Sequence, residues 1–168
     1  PAGSTVRTAD VTAPAVFELL EDAVIAAGDT SVSASGQNSL PRTDSFTSTE
    51  LPDQRFRLTR SPYLADSLTV VAGNGTFTQV DNFLDSTGTS KHFVVVLDQN
   101  DVATVVFGDG VLGAVPTGSI ACTYKTWGGL VGTVEAGAVR RLDGSFTDAL
   151  GNPVRVTVTN AAASTAGI

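Results

Sequence analysis

The chain has 168 residues, which is enough for one domain with a modest insertion and a sizeable core. Hydrophobic residues make up 42% and charged residues only 16%, which excludes a disordered tail. The formal net charge of -7 argues against nucleic-acid binding, and no apolar run is long enough for a membrane-spanning helix. Val, Thr, Ser, Gly and Ala dominate, and Val and Thr favour strands, so the composition predicts a mostly β protein.

The two ends of the chain are rich in small residues. The sequence contains no Met, begins with Pro1-Ala2-Gly3 and finishes in small residues over 161–168. These features are expected of an excised domain or a processed piece of a longer protein.

The segment 15–27 has two interpretations. Val16, Leu20 and Val24 follow i, i+4 spacing and Gly28 is suited to end a helix, which favours one amphipathic helix. The alternative is a pair of short strands with a polar break between them. Propensity alone leaves both open.

Short apolar runs alternate with turn signals over most of the chain, which is typical of an all-β protein. Residues 36–55 are polar and contain proline, so we predict a loop or an irregular edge there. The best hairpin joins His92–Leu97 to Ala103–Phe107 through a short polar loop. The predicted strands are 67–71, 76–80, 92–97, 103–107, 120–125, 138–142 and 154–159.

A glycine-punctuated block, FGDGVLGAVPTGSIACTYKTWGGLVG, covers residues 107–132. Its FGDG start imitates a phosphate-binding loop, but a dinucleotide fingerprint must open a helix, whereas Pro116 and another strand follow here. Asp109, between two glycines, is therefore predicted to bond the amides of its own turn. The block indicates a defined backbone shape and not a ligand site.

The residues with reactive side chains lack the partners that catalysis or metal binding requires. His92 opens a strand and is interpreted as a strand-edge or surface residue, and Cys122 lies in an alternating pattern that predicts burial. Asp98 and Asn100 begin like a calcium loop, but the required Gly and Glu do not follow. We therefore predict no enzyme, no catalytic residue, no cofactor and no metal site.

Trp127 is the side chain best suited to a binding role. It stands beside a pair of glycines, where an indole stacks on a sugar or a partner protein, or caps the core at a sheet end. The sequence leaves these alternatives open.

Three motifs occur in a recognisable order along the chain. In that order they resemble the baseplate J-like family, the wedge proteins of contractile phage tails and related injection machines. The early PAGST segment is similar to a turn of that family as well. The motifs are KHFVVVLD at 91–98, VVFGDGVLGAVPTGSIACTYKTWGGLVG at 105–132 and VEAGAVRRL at 134–142.

The resemblance implies a discontinuous arrangement. Residues 1–54 and 128–168 would form an outer antiparallel β domain, and residues 55–127 an inserted β subdomain that contains the FGDG block. It also implies strands over 17–27 and few or no helices in the whole chain.

The function that the resemblance implies is mechanical. The chain would be a wedge domain that makes protein–protein contacts with other baseplate and tail proteins, without nucleic acid or membrane. It would be oligomeric in the assembled baseplate of a virion or phage-like particle built in the bacterial cytoplasm, while an isolated piece is compatible with a monomer. Trp127 and Leu130 are the candidate interface residues. The alternative is a carbohydrate-binding or adhesion module that uses Trp127 and the acidic turns.

Overall fold

The structure, a computed structural model, describes residues 2–9, 12, 14–128 and 132–164. The chain divides into two compact units: unit 1 comprises Pro1–Leu40 and Gly128–Ile168, and unit 2 comprises Pro41–Trp127. Strands supply nearly all regular structure and the described residues contain no α-helix, which confirms the mostly β prediction. The strands are β1 (Thr5–Thr8), β2 (Val16–Leu19), β3 (Gly36–Gln37), β4 (Ser39–Thr47), β5 (Arg55–Arg57), β6 (Thr69–Ala72), β7 (Gly75–Gln79), β8 (His92–Leu97), β9 (Ala103–Phe107), β10 (Ser119–Trp127), β11 (Val139–Leu142), β12 (Phe146–Thr147) and β13 (Pro153–Val154).

Unit 1 is built on a sheet of four short strands in the order β11-β1-β2-β3, and all described neighbours are antiparallel. Both halves of the chain contribute, since β1 pairs with β2 on one side and with β11 on the other. Val6 lies opposite Phe17 in one pair and opposite Leu142 in the other, so these side chains share one face of the sheet. Within the described residues, the core of unit 1 is a small cluster of Val6, Ala15, Phe17 and Val139.

Unit 2 is built on a seven-stranded sheet in the order β4-β10-β6-β7-β8-β9-β5, all of it within the described residues. The predicted hairpin of β8 and β9 is confirmed, with continuous antiparallel register from Phe93 opposite Phe107 to Leu97 opposite Ala103. The β7–β8 pair is parallel, which departs from a purely antiparallel fold. The first and last strands approach each other, since the Phe46 ring lies 5.1 Å from the Phe56 ring. The sheet is therefore nearly closed on itself.

The core of unit 2 fills the inside of this sheet. On β10 the side chains of Ile120, Cys122 and Tyr124 are buried in alternation, as the strand period requires. Phe107 contacts the Phe77 ring edge-on at 5.1 Å, a geometry that aromatic rings prefer. The burial predicted for Cys122 is confirmed.

Of the two alternatives predicted for residues 36–55, the loop is wrong, because β3 and the nine-residue β4 lie there, and each is an edge strand of its sheet. For the same reason the first boundary of the insertion falls between Leu40 and Pro41 and not between 54 and 55. β4 carries mostly polar residues, so it has no apolar alternation to reveal it. Its place in the sheet beside β10 and the Asp44 hydrogen bonds to Thr59 and Tyr124 stabilise it instead.

No part of the segment 15–27 is helical, so the helical interpretation is wrong. Only Val16–Leu19 forms a strand, and the second strand that the resemblance implies is absent from residues 20–27. Val24 and Ile25 are exposed, so the apolar residues at i, i+4 spacing do not share a buried face. The predicted strand at 154–159 is also mostly wrong, since β13 ends at Val154.

Candidate interaction surface

The FGDG sequence forms a tight turn immediately after β9. The Asp109 Oδ1 atom accepts the backbone N–H groups of Val111 and Leu112 at 2.7 and 2.6 Å, and the Gly110 N–H donates to the Gly113 carbonyl at 2.9 Å. The amide hydrogen bonds from Leu112 and Val111 lower the pKa of Asp109, so its carboxylate is ionised at neutral pH. The turn-capping role predicted for Asp109 is confirmed.

A second loop, residues 81–91, is fastened to this turn by backbone hydrogen bonds. The Gly113 N–H donates to the Thr87 carbonyl at 3.1 Å, and the Ala114 N–H donates to the Ser90 carbonyl at 2.7 Å. Residues 81–91 and 108–114 together are called the loop tip below.

Close backbone contact in the loop tip requires glycine at two positions. A Cβ atom on Gly108 would overlap the backbone of Gly113, and one on Gly88 would overlap the Gly110 carbonyl. The glycines of the block therefore allow backbone to pack on backbone, which explains their number without a ligand.

The loop tip presents large apolar side chains to solvent. Leu84 is 80% exposed, Val111 72% and Leu112 43%. Exposed apolar side chains that lie close together are typical of a protein contact surface. Sequence reasoning missed all three as interface candidates, although the Val-Leu pair inside a glycine turn was a usable signal.

The sequence-based interface candidates do not lie in the loop tip. Trp127 is half-buried at the last position of β10, where its backbone N–H donates to the Pro62 carbonyl at 3.2 Å. Ser119, the first residue of β10, follows the loop tip in the sequence. Trp127 lies eight residues farther along this extended strand, a length of roughly 26 Å. Leu130 lies outside the described residues.

His92 and Cys122, the reactive side chains named in the sequence, have structural surroundings. The Nδ1 atom of His92 lies 2.8 Å from the Ser86 Oγ atom, which links β8 to the loop 81–91. Burial raises the pKa of the Cys122 thiol to about 12, so it remains a protonated, buried group. In the part of the chain that the structure describes, no three His, Cys, Asp or Glu residues are grouped to hold a metal ion.

The Asp98 carboxylate at the hairpin tip also accepts hydrogen bonds from its own turn. The Oδ1 atom accepts the N–H groups of Asn100 and Val102 at 2.8 and 3.0 Å, and Arg57 forms an ion pair with the same carboxylate. The Arg57 hydrogen bond, and then these amides, lower the pKa of Asp98. The side chain stabilises a turn, as the incomplete calcium pattern suggested.

Unit 1 contains an open apolar cleft of about 220 Å³ above its small core. Its walls include Phe17, Val134 and Val158, together with the polar residues Thr159, Asn160 and Ser164. The Asn160 Oδ1 atom accepts the Val139 N–H at 2.9 Å, and the Ser164 Oγ atom accepts the Val134 N–H at 2.7 Å. These polar groups tie the C-terminal segment to the unit, so the cleft has an apolar and structural character.

No family model, curated protein or solved structure matches the chain. Among the described residues, no helix has the length and apolar character needed to cross a membrane.

Proposed function

We propose that the chain is a structural domain of the baseplate of a contractile phage tail or a related phage-like particle. In this role it is a wedge component that makes protein–protein contacts with other baseplate and tail proteins, and it becomes oligomeric as the ring assembles. The resemblance of its three ordered motifs to the baseplate J-like family supports this assignment. The role needs no cofactor and no catalytic residue.

The observation that carries the proposal is the insertion of unit 2 into unit 1. β1 and β11 pair across most of the chain length, and the FGDG turn lies in the inserted unit, an arrangement that the resemblance implies. The exposed apolar side chains of the loop tip add a physical reason for assembly, because burying them against a partner would be favourable.

Carbohydrate binding by Trp127 and the acidic turns is the second candidate function. The indole is only partly exposed, which leaves some of its surface for a sugar. The carboxylates of Asp98 and Asp109, however, already accept amide N–H groups of their own turns, so fewer acceptor positions remain for sugar hydroxyls. The wedge role is favoured for this reason.

The test of the wedge role is incorporation into particles. An affinity-tagged full-length protein expressed in its natural producing cell is expected to sediment with sheath and tube proteins in a density gradient. Deletion of its gene is expected to abolish assembled baseplates in electron micrographs. Intact contractile tails in the deletion strain, with the protein in the light fraction of the wild type, would contradict the proposal.

A glycan array tests the second candidate. Binding of the purified chain that is lost in Trp127→Ala, with an unchanged thermal unfolding curve, would favour a carbohydrate module. The wedge proposal expects no glycan binding in either protein.

A further inference from the structure

We propose that the loop tip of unit 2 docks into an apolar socket that is rimmed by Lys or Arg side chains on a partner protein. This inference deepens the wedge role and rests on it, since the socket is expected on a neighbouring protein of the particle. It assigns the contact to Leu84, Val111 and Leu112 and to the carboxylates around them.

The apolar part of the contact comes from side chains that the protein itself leaves in water. Leu84, Val111 and Leu112 all belong to the loop tip, whereas the half-buried Phe83 ring lies against Gly113. Removing such side chains from water is the main favourable contribution in most protein associations. Phe83 therefore packs within the loop tip, while its neighbour Leu84 is free to contact a partner.

The backbone beneath these side chains is held in place before any partner arrives. The Asp109 carboxylate fixes the amides of both Val111 and Leu112, and the Asn82 Oδ1 atom accepts the Leu84 N–H at 3.0 Å. A preorganised loop loses little conformational freedom on binding, so more of the apolar gain appears as affinity. Each exposed apolar side chain of the tip thus has its own backbone amide bonded to a nearby side chain.

The charge around the apolar side chains selects the partner. Asp81 and Asp85 are exposed in the first loop and Asp109 is ionised in the second, against one lysine in the loop tip, Lys91. The Lys91 ammonium lies beside Gly75, at the turn between β6 and β7. An acidic rim attracts a basic one and repels an anionic lipid surface or a second acidic tip.

Photo-crosslinking of the full chain in the particle-producing cell tests the contact. The crosslinking amino acid p-benzoylphenylalanine is placed at position 111, and in a matched control at position 96. Val96 is 48% exposed on β8 of the same unit, four residues and roughly 13 Å along the strand from His92. An ultraviolet-dependent adduct with one partner protein is expected at 111 and not at 96, with Lys or Arg in or beside the crosslinked peptide.

Charge reversal tests the rim. The pair Asp81→Lys and Asp85→Lys is expected to reduce the adduct at least about tenfold, and the neutral pair Asp81→Asn and Asp85→Asn less. Both positions are exposed, so thermal unfolding of these variants is expected to match the wild type. Val111→Ser, made in the chain without the crosslinking amino acid, is the apolar counterpart and is expected to lower particle incorporation.

Several results would overturn the inference. They are an adduct with a second copy of this chain, an adduct with lipid, no adduct at 111, and an adduct that is insensitive to charge reversal. The particle assay separates the two proposals. Normal incorporation of the chain without an adduct at 111 overturns only the docking site, whereas a charge-sensitive adduct with a protein outside any particle overturns only the wedge role.

Discussion

Unit 2 and unit 1 differ most in how much core each one has. In unit 2, whose residues are all described, fourteen buried hydrophobic residues form one cluster inside a nearly closed sheet. The described residues of unit 1 provide four, below an open cleft. The burial of apolar surface dominates folding stability, so the two units are expected to resist unfolding unequally although both are rich in β structure.

The difference arises from the segments between the strands. In unit 1 the residues 20–35 and 155–164 contain no strand, and Leu20, Val24 and Val32 are exposed. In unit 2 the strands are longer and their buried residues alternate, as on β10. Alternation places every second side chain in one core, whereas irregular segments scatter their apolar residues over the surface. Unit 1 is therefore expected to unfold first in denaturant.

The largest effect is expected from aromatic truncation in each core. Phe107→Ala removes a fully buried ring that contacts Phe77 and Phe56, and it should destabilise unit 2 by about 3–5 kcal/mol. Fluorescence of Trp127, the one tryptophan in the sequence, follows unit 2 during guanidinium unfolding. Phe17→Ala should destabilise unit 1 by less, because Phe17 borders the open cleft. It should not shift the unfolding transition that Trp127 fluorescence reports. Equal shifts of that transition by both variants would mean that the units unfold together.

The next effect concerns backbone packing. Gly108→Ala introduces a Cβ against the Gly113 backbone and is expected to destabilise unit 2 by about 1–3 kcal/mol. Gly36→Ala in unit 1 is the matched control, because its Cβ would meet the nearest atom at an ordinary 3.6 Å. Guanidinium midpoints measure both. A harmless Gly108→Ala would mean that the loop tip is looser than its hydrogen bonds indicate.

The third effect is expected from removing a hydrogen bond to the Asp44 carboxylate. The Tyr124 hydroxyl donates to the Asp44 Oδ2 atom at 3.0 Å and accepts the Arg60 N–H at 3.0 Å. Tyr124→Phe leaves both groups without this partner and should cost unit 2 about 1 kcal/mol at pH 7. Thermal unfolding monitored by Trp127 fluorescence measures it.

The same carboxylate makes unit 2 sensitive to acid. Burial alone would raise the pKa of Asp44, but hydrogen bonds from Thr59 and Tyr124 outweigh it, and the pKa is lowered from 3.8. The stabilisation is therefore present above pH 3.8 and is lost as the pH falls through the lower, folded-state pKa. The Asp44→Asn variant should be less stable than wild type at pH 6. Between pH 5 and pH 2, the unfolding midpoint of its unit 2 should fall less than that of wild type. An unchanged acid dependence in that variant would remove Asp44 as its cause.

The smallest effect is expected from a surface ion pair of unit 1. Arg7 forms a salt bridge with Asp143, and the Thr5 hydroxyl donates to the same carboxylate at 3.0 Å. Both charged side chains are about one-third exposed, so Asp143→Asn should cost only about 0.2–1 kcal/mol. Hydrogen exchange of the β1 and β11 amides at low and at 1 M salt measures it, and the difference from wild type should shrink at high salt. Faster exchange in unit 2 would contradict the assignment.

The sequence predicted the local features of the fold and the exposed loop tip to different extents. The β8–β9 hairpin, the burial of Cys122 and the Asp109 turn were all predictable, because each depends on residues a few positions apart. The exposed apolar residues proposed for the contact were not predictable in the same way. The prediction for Trp127 rests on its chemistry, whereas Leu84 and Val111 come into one loop tip only because two loops about 27 residues apart are hydrogen bonded.

The sequence by itself determined the β class and the turn-forming glycines. It also determined that the FGDG turn is followed by a strand and does not begin a helix. Only the tertiary structure decided that the polar β4 is a strand, that Val24 lies in solvent, and where unit 2 begins. The physical reason is the range of the interactions. A turn is specified by the φ preferences and hydrogen bonds of adjacent residues, whereas a polar strand or an exposed apolar tip depends on which distant backbone groups are available to pair with it.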